Sequence, residues 1–292
     1  MQQIDLKSLL SAVDVPADWV GIREVSETHT PRIIRDGVPQ MNASYTSQGL
    51  MVEVLAKGQF GYYGTPNMTN EGVANAAKKA FTQANLASKH ATFQFTQDAR
   101  PANVGNYKSP FVKEKDSLSP GELNKLLLDA YNELKVNDKI VSARALLQTI
   151  QTMFRFVSSN GSDISQDFLM LEFDLSATAA DGANQQTRTF GGMRGNCLQM
   201  GMEYFDKLEL LAQAQKIGKE AIELLDAEEC PNGEMDLVIA SDQMMLQIHE
   251  SVGHALEVDR ILGDERNYAG WSFVNLDDFG KLQYGSELMN IT

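Results

Sequence analysis

The chain has 292 residues, of which 43% are hydrophobic, enough to build one large core or two to three smaller ones. A net charge of −14 with a pI near 4.7 argues against nucleic acid as the main partner, because phosphate binding needs a basic face. Two cysteines outside any CxxC pair exclude a disulfide-knit scaffold, and no apolar run approaches the ~20 residues of a membrane helix, so a soluble cytoplasmic protein that does not engage membranes is expected.

Residues 4–12 have helical apolar spacing, and WVGIREVSETHTPRIIRDG then alternates like a pair of strands broken near Pro31. GLMVEVLAKGQFGYYGT reads as two further strands with Gly58 at the turn, and NEGVANAAKKAFTQANLAS as a capped amphipathic helix starting near Asn70. Together they make a small α+β domain over 1–100, followed by a polar, aperiodic linker over 101–118. Ser119-Pro120-Gly121-Glu122 opens a helix running to about Lys135, with Ser119 as N-cap, Pro120 first and Glu122 third.

Residues 139–190 hold long β-type runs separated by Ser-Asn-Gly-Ser and Ala-Asp-Gly-Ala, the pattern of an antiparallel meander. A helix over 202–227 closes this middle α+β domain, which spans 119–230. A third region starts with a strand at 235–240 and enters a helix capped by Ser241 or Asp242, with a later strand at WSFVN. Its pattern breaks off at residue 292, so 231–292 is expected to be the start of a β-rich domain.

That last helix carries QIHESVGHALEVDR, which places His249, Glu250 and His254 within six positions of a chain with four histidines. Zinc takes neutral imidazole and carboxylate ligands, and a catalytic site leaves one position for water that a neighbouring carboxylate can deprotonate. The familiar HExxH spacing sets both histidines on one helix face. Here the spacing is HExxxH, and five residues at about 100° each leave the rings about 140° apart on a regular helix. A metal site therefore requires a π-turn, with the widening expected at Val252 to Gly253.

HESVGHALEVDRILGDERNYAG, with MDLVIASDQMMLQ before it and SFVNLDDFGKLQYGS after it, resembles the TldD/PmbA family of zinc metallopeptidases, on the TldD side. The family reads HExxxH followed by a small residue, an apolar residue, Glu and Asp, matched here by Ala255, Leu256, Glu257 and Asp259. RDGVPQ, GLMVEVLAKGQFGYYGTPN and RTFGGMRGN extend the likeness over most of the chain. The resemblance implies His249 and His254 as zinc ligands, Glu250 as the base that activates water, and peptide bonds as the substrate. It also implies a homodimer or a heterodimer with a TldE-like subunit, and a third ligand, a cysteine from a C-terminal half. By that expectation residues 1–292 carry only part of the site.

The rival reading is a non-catalytic, TldE-like assembly subunit or structural protein whose histidines bind no metal. Cys197, Cys230 and Glu257 are not assigned as ligands. His29, beside Pro31, is expected on an edge strand facing solvent, and His90 at a helix end. Met244 and Met245 fit core packing, GGMRGN fits turn chemistry, and Ser251 lacks the GxSxG elbow of a serine nucleophile.

Overall fold

A computed structural model describes residues 4–91, 93–192 and 196–291, in two compact units that divide between Ala227 and Glu228. The first unit is built on one nine-stranded sheet. After α1 (Leu6–Ser11) come β1 (Trp19–Arg35), β2 (Val38–Asn42), β3 (Tyr45–Ala56), β4 (Gln59–Thr65) and α2 (Asn70–Ala87). They are followed by β5 (Val104–Lys108), α3 (Pro120–Leu134), β6 (Ile140–Ser158), β7 (Asp163–Asp181), β8 (Asn184–Thr189) and β9 (Asn196–Leu198). Two helices, α4 (Tyr204–Lys207) and α5 (Leu210–Glu223), end the unit. The sheet order is β4-β3-β1-β6-β7-β5, with β2 beside β1, and β8 and β9 beside β7.

Local signals place the hairpins. Asp36-Gly37 and Lys57-Gly58 have φ of 50°, 79°, 53° and 73°, the two successive left-handed residues of a type I′ turn, joining β1 to β2 and β3 to β4. The helix starts are equally local: Thr69 Oγ1 accepts from the Gly72 N–H at 3.2 Å to cap α2. Ser119 and Glu122 form the expected capping box on α3, at 3.3 and 2.7 Å.

Side chains alternate between the faces of a strand, so the register decides which residues share the core. Ile22 opposes Val52, and Leu147 opposes Phe173. Ile22 and Val52 pack under α1 and α2 with Val73, Ala77 and Ala80. Leu147 and Phe173 pack under α3 and α5 with Leu127, Leu134 and Ile217. Both clusters draw on the same face; among the described residues of this unit the opposite face carries no α-helix and is covered only toward β3 and β4, by the 93–100 segment with its single 3-10 turn at Gln97–Ala99.

Three expectations about this unit need correction. Strand β1 is not broken at Pro31: it runs from Trp19 to Arg35, with β6 alongside from Gly21↔Ser158 to Arg35↔Arg144. On its other side the partner changes from β3, ending at His29↔Tyr45, to β2, starting at Arg32↔Asn42. The Pro31 carbonyl faces this handover and accepts from Ala43 at 3.1 Å, so the missing proline N–H falls where the ladder is interrupted. As a result, the strands expected in two regions join into one sheet. Residues 104–108 of the expected linker form β5, parallel to β7, because the edge of β7 offers unpaired backbone groups. The helix expected over 202–227 breaks at Leu208, which is extended at φ −83° and ψ 118°. This lets Tyr204 and Phe205 turn onto Phe173 while α5 packs separately. Residues 193–195 of the GGMRGN segment lie outside the described residues.

Glu203 ties the chain before β6 to the start of α4. Its carboxylate accepts from the Lys113 N–H at 2.9 Å and the Gly201 N–H at 3.1 Å. Burial alone would raise this carboxyl, but those backbone donors more than offset it and bring it from 4.5 to about 2. A folded-state value below the unfolded one stabilises above pH 4.5, and that contribution disappears as pH falls toward 2. Glu203→Gln should therefore cost about 1–3 kcal/mol at pH 7. Urea unfolding across pH should show the gap from wild type closing between pH 4.5 and 2. A gap that did not change with pH would contradict the assignment.

Candidate metal centre

The second unit opens with irregular backbone through residues 235–240 and then α6 (Ser241–Ile248). MDLVIA is not a strand, and neither is WSFVN at 271–275. Among the described residues from 228 onward there is no strand to supply the ladder either would need. Ala240 is the N-cap of α6 and no side chain caps it, since Ser241 and Asp242 already lie inside the first turn. Met244 and Met245 are exposed rather than core residues.

Past Ile248 the helix widens. His249–Gly253 forms a π-turn in which the His254 N–H bonds to the carbonyl of His249, five residues back. This is the departure from regular helix that the HExxxH spacing demands. Gly253 is not needed sterically: its φ of −56° is ordinary, and a Cβ there would meet only the Ile248 carbonyl at 4.0 Å. A 3-10 turn over His254–Leu256 and α7 (Val258–Leu262) follow, and Gly263 at φ 86° ends the helix in the left-handed conformation.

The widened turn sets the His249 and His254 rings edge to face, with centroids 4.5 Å apart. Glu250 lies between them, Oε1 3.9 Å from His249 Nε2 and Oε2 3.8 Å from His254 Nε2. One donor atom from each of the three lies within 4.8 Å of the others. Two imidazoles and a carboxylate grouped this closely are a donor set whose chemistry suits a borderline divalent ion such as zinc.

Glu257 orients one of the rings. Its Oε1 is 2.9 Å from His254 Nδ1. A carboxylate can only accept, so Nδ1 donates to it, which leaves Nε2, on the side of Glu250, as the ring nitrogen available to a metal. The hydrogen bond from His254 chiefly, with the adjacent Arg260 guanidinium adding to it, holds the Glu257 carboxyl below the usual range.

A cavity of about 470 Å³ adjoins the cluster, lined by Glu250, His254, Arg260, Trp271, Phe273 and Tyr284. The 271–284 segment lies across the widened turn: Ser272 Oγ donates to the Ala255 carbonyl at 2.6 Å, and the Tyr284 hydroxyl donates to the Ser251 carbonyl. Trp271, Phe273 and Tyr284 had no local signal in the sequence beyond their aromatic character. Cys230 is exposed and stands outside the cluster. In the first unit, Cys197 is exposed on β9 opposite Glu172, and His90 sits in the turn that ends α2. His29, expected to face solvent on an edge strand, is instead half-buried on the central strand β1, stacked on Tyr45 at 5.1 Å and bonded to Glu27 at 2.6 Å.

Comparison with known proteins agrees with this fold. Residues 20–84 match the model of PmbA/TldA metallopeptidase domain 1, and residues 113–226 match that of the PmbA/TldA metallopeptidase central domain. A Methanothermobacter thermautotrophicus protein named metalloprotease is 24% identical over an alignment that takes in 97% of this chain, and so reaches across the histidine segment. This chain spans 63% of that relative's length. In fold it is similar to a Thermotoga maritima protein described as a candidate modulator of a DNA gyrase, at 15% identity and a TM-score of 0.56, covering 74% of this chain and 46% of that one. It is also similar to TldE from Thermococcus kodakarensis, at 10% identity and a TM-score of 0.51, covering 74% of this chain and 47% of that one. No helix is long and apolar enough to cross a membrane among the described residues. With its first and central domains both matched over the greater part of its length, the chain belongs to the PmbA/TldD metallopeptidase family.

Proposed function

We propose that the full-length protein is a zinc-dependent peptidase in which His249 and His254 are two of the metal ligands and Glu250 is the general base. The observation that carries this reading is the π-turn at His249–Gly253, which brings together two imidazoles that a regular helix would hold apart. Bound zinc would supply a Lewis acid that polarises a peptide carbonyl and acidifies water. The chain's own groups do the rest. Glu250, between the two Nε2 atoms, takes a proton onto its carboxylate and returns it to the leaving amine, while Glu257 fixes the tautomer of His254.

The third ligand in this reading is a cysteine from a C-terminal half. The assembly is a homodimer or a pair with a TldE-like subunit, in line with the fold similarity to TldE. Peptides or unfolded segments are the substrates, and a cytoplasmic location fits the free cysteines.

Metal analysis of the full-length protein, purified without chelator, tests the reading. Roughly one zinc per chain is expected, lost in His249→Ala and in His254→Ala. Glu257→Ala should weaken zinc about 10–100-fold, since it releases His254 from its fixed orientation. A metal-free wild type, indistinguishable from His249→Ala in a peptidase assay, would instead favour the non-catalytic assembly subunit.

A further inference from the structure

The face of the sheet that no α-helix covers in the first unit carries a second cavity, of about 480 Å³, distinct in its chemistry from the histidine cluster. One wall is cationic. Arg23 on β1 and Arg100, which precedes β5, share a single carboxylate, Glu53 on β3: Arg23 Nη2 is 3.3 Å from Oε1, and Arg100 Nε is 3.7 Å from Oε2. The Glu53 side chain is only 7% exposed, whereas the two arginine side chains are 43% and 42% exposed. Two guanidiniums against one carboxylate leave a positive balance, on a chain whose net charge is −14. The Arg100 guanidinium is also held over the Phe60 ring, at 4.8 Å.

The facing wall is aromatic. Phe154 and Phe156 on β6 lie on the same face as Phe168 on β7, and the Phe154 and Phe168 rings meet edge to face at 5.8 Å. In the register Arg23 pairs directly with Phe156, so cation and ring are neighbours.

We propose that this cavity binds the C-terminal end of a peptide, with the free carboxylate on Arg23 and Arg100 and an apolar terminal side chain against Phe154, Phe156 and Phe168. A terminal residue carries its carboxylate and its side chain on one Cα, which matches a guanidinium fork adjoining an aromatic surface. The Gln166 amide, opposite Phe154, supplies a donor and an acceptor for the preceding peptide unit. The volume suits a few residues rather than a folded partner. A single surplus positive charge is too little for a nucleic-acid backbone. The proposal uses only residues of the first unit and is independent of any metal at His249 and His254.

Binding of N-terminally labelled Gly-Gly-Ala-Phe, as free acid and as C-terminal amide, can be followed by fluorescence anisotropy on the 292-residue chain. Excess EDTA prevents the acid from being held through a metal. The acid should bind at least about tenfold tighter than the amide, and Arg100→Gln should weaken the acid enough to remove that preference. If Arg100→Gln fails to fold, Arg23→Lys keeps the charge but loses the fork, and should reduce the preference by several-fold. Equal binding of acid and amide, or a preference untouched in both variants, would overturn the proposal. So would N-acetylphenylalanine competing as strongly as the tetrapeptide, which would make this a site for small aromatic acids.

Discussion

Changing Glu250 to Gln in the full-length protein is expected to lower peptide hydrolysis by about 10²–10⁴-fold with zinc still bound. The substitution keeps the size of the side chain and its place between the two Nε2 atoms, 3.9 and 3.8 Å away, but removes its ability to take a proton. The paired measurement of kcat and metal content separates two roles that the geometry brings close together, because Glu250 also lies within ligating reach of the histidines. Activity lost with metal retained fits a base. Loss of both together would make Glu250 a ligand, and full activity with zinc bound would remove it from the chemistry altogether. His249→Ala gives the complementary pattern, in which loss of metal accounts for loss of activity.

What could be read from the sequence followed from interactions spanning a few residues. The capping box at Ser119 and Glu122, the turn at Gly58 and the start of α2 depend on neighbouring backbone and side-chain groups, and the structure forms them where they were expected. The π-turn was legible for a related reason: five residues of regular helix cannot bring two rings together, so the requirement itself pointed to the distortion. Features that depend on a distant partner were hidden. Pro31 reads as a break until β2 and β3 are seen to exchange places beside it. Val104–Lys108 gains its strand only from the edge of β7. MDLVIA and WSFVN have the right composition for strands, yet residue composition cannot provide the ladder partner that a strand needs. At the site, the Glu257 bond to His254 is an i,i+3 contact on the same short segment, whereas Tyr284 reaches Ser251 from thirty-three residues away.

Phe173→Ala is expected to destabilise the first unit by about 3–5 kcal/mol, while Phe154→Ala costs about 1 kcal/mol or less. Both are phenylalanines in long central strands, on β7 and β6, and they differ in the face they occupy. Phe173 is fully buried and meets Phe205 edge to face at 5.3 Å and Phe190 at 5.9 Å. Its truncation removes those ring contacts and leaves a void that the rigid sheet beneath and α3 and α5 above cannot fill. Phe154 lies on the opposite face, half-buried beside Phe168, where water can occupy the space a lost ring leaves. Urea unfolding of both variants, read as a change in midpoint at constant slope, tests the assignment. Equal costs would mean that the second face is as tightly covered as the first, and the aromatic wall beside Arg23 would then be core rather than a surface for a peptide end. A large cost confined to Phe173 leaves those rings uncovered by the fold of the first unit itself, a condition the proposed peptide site requires.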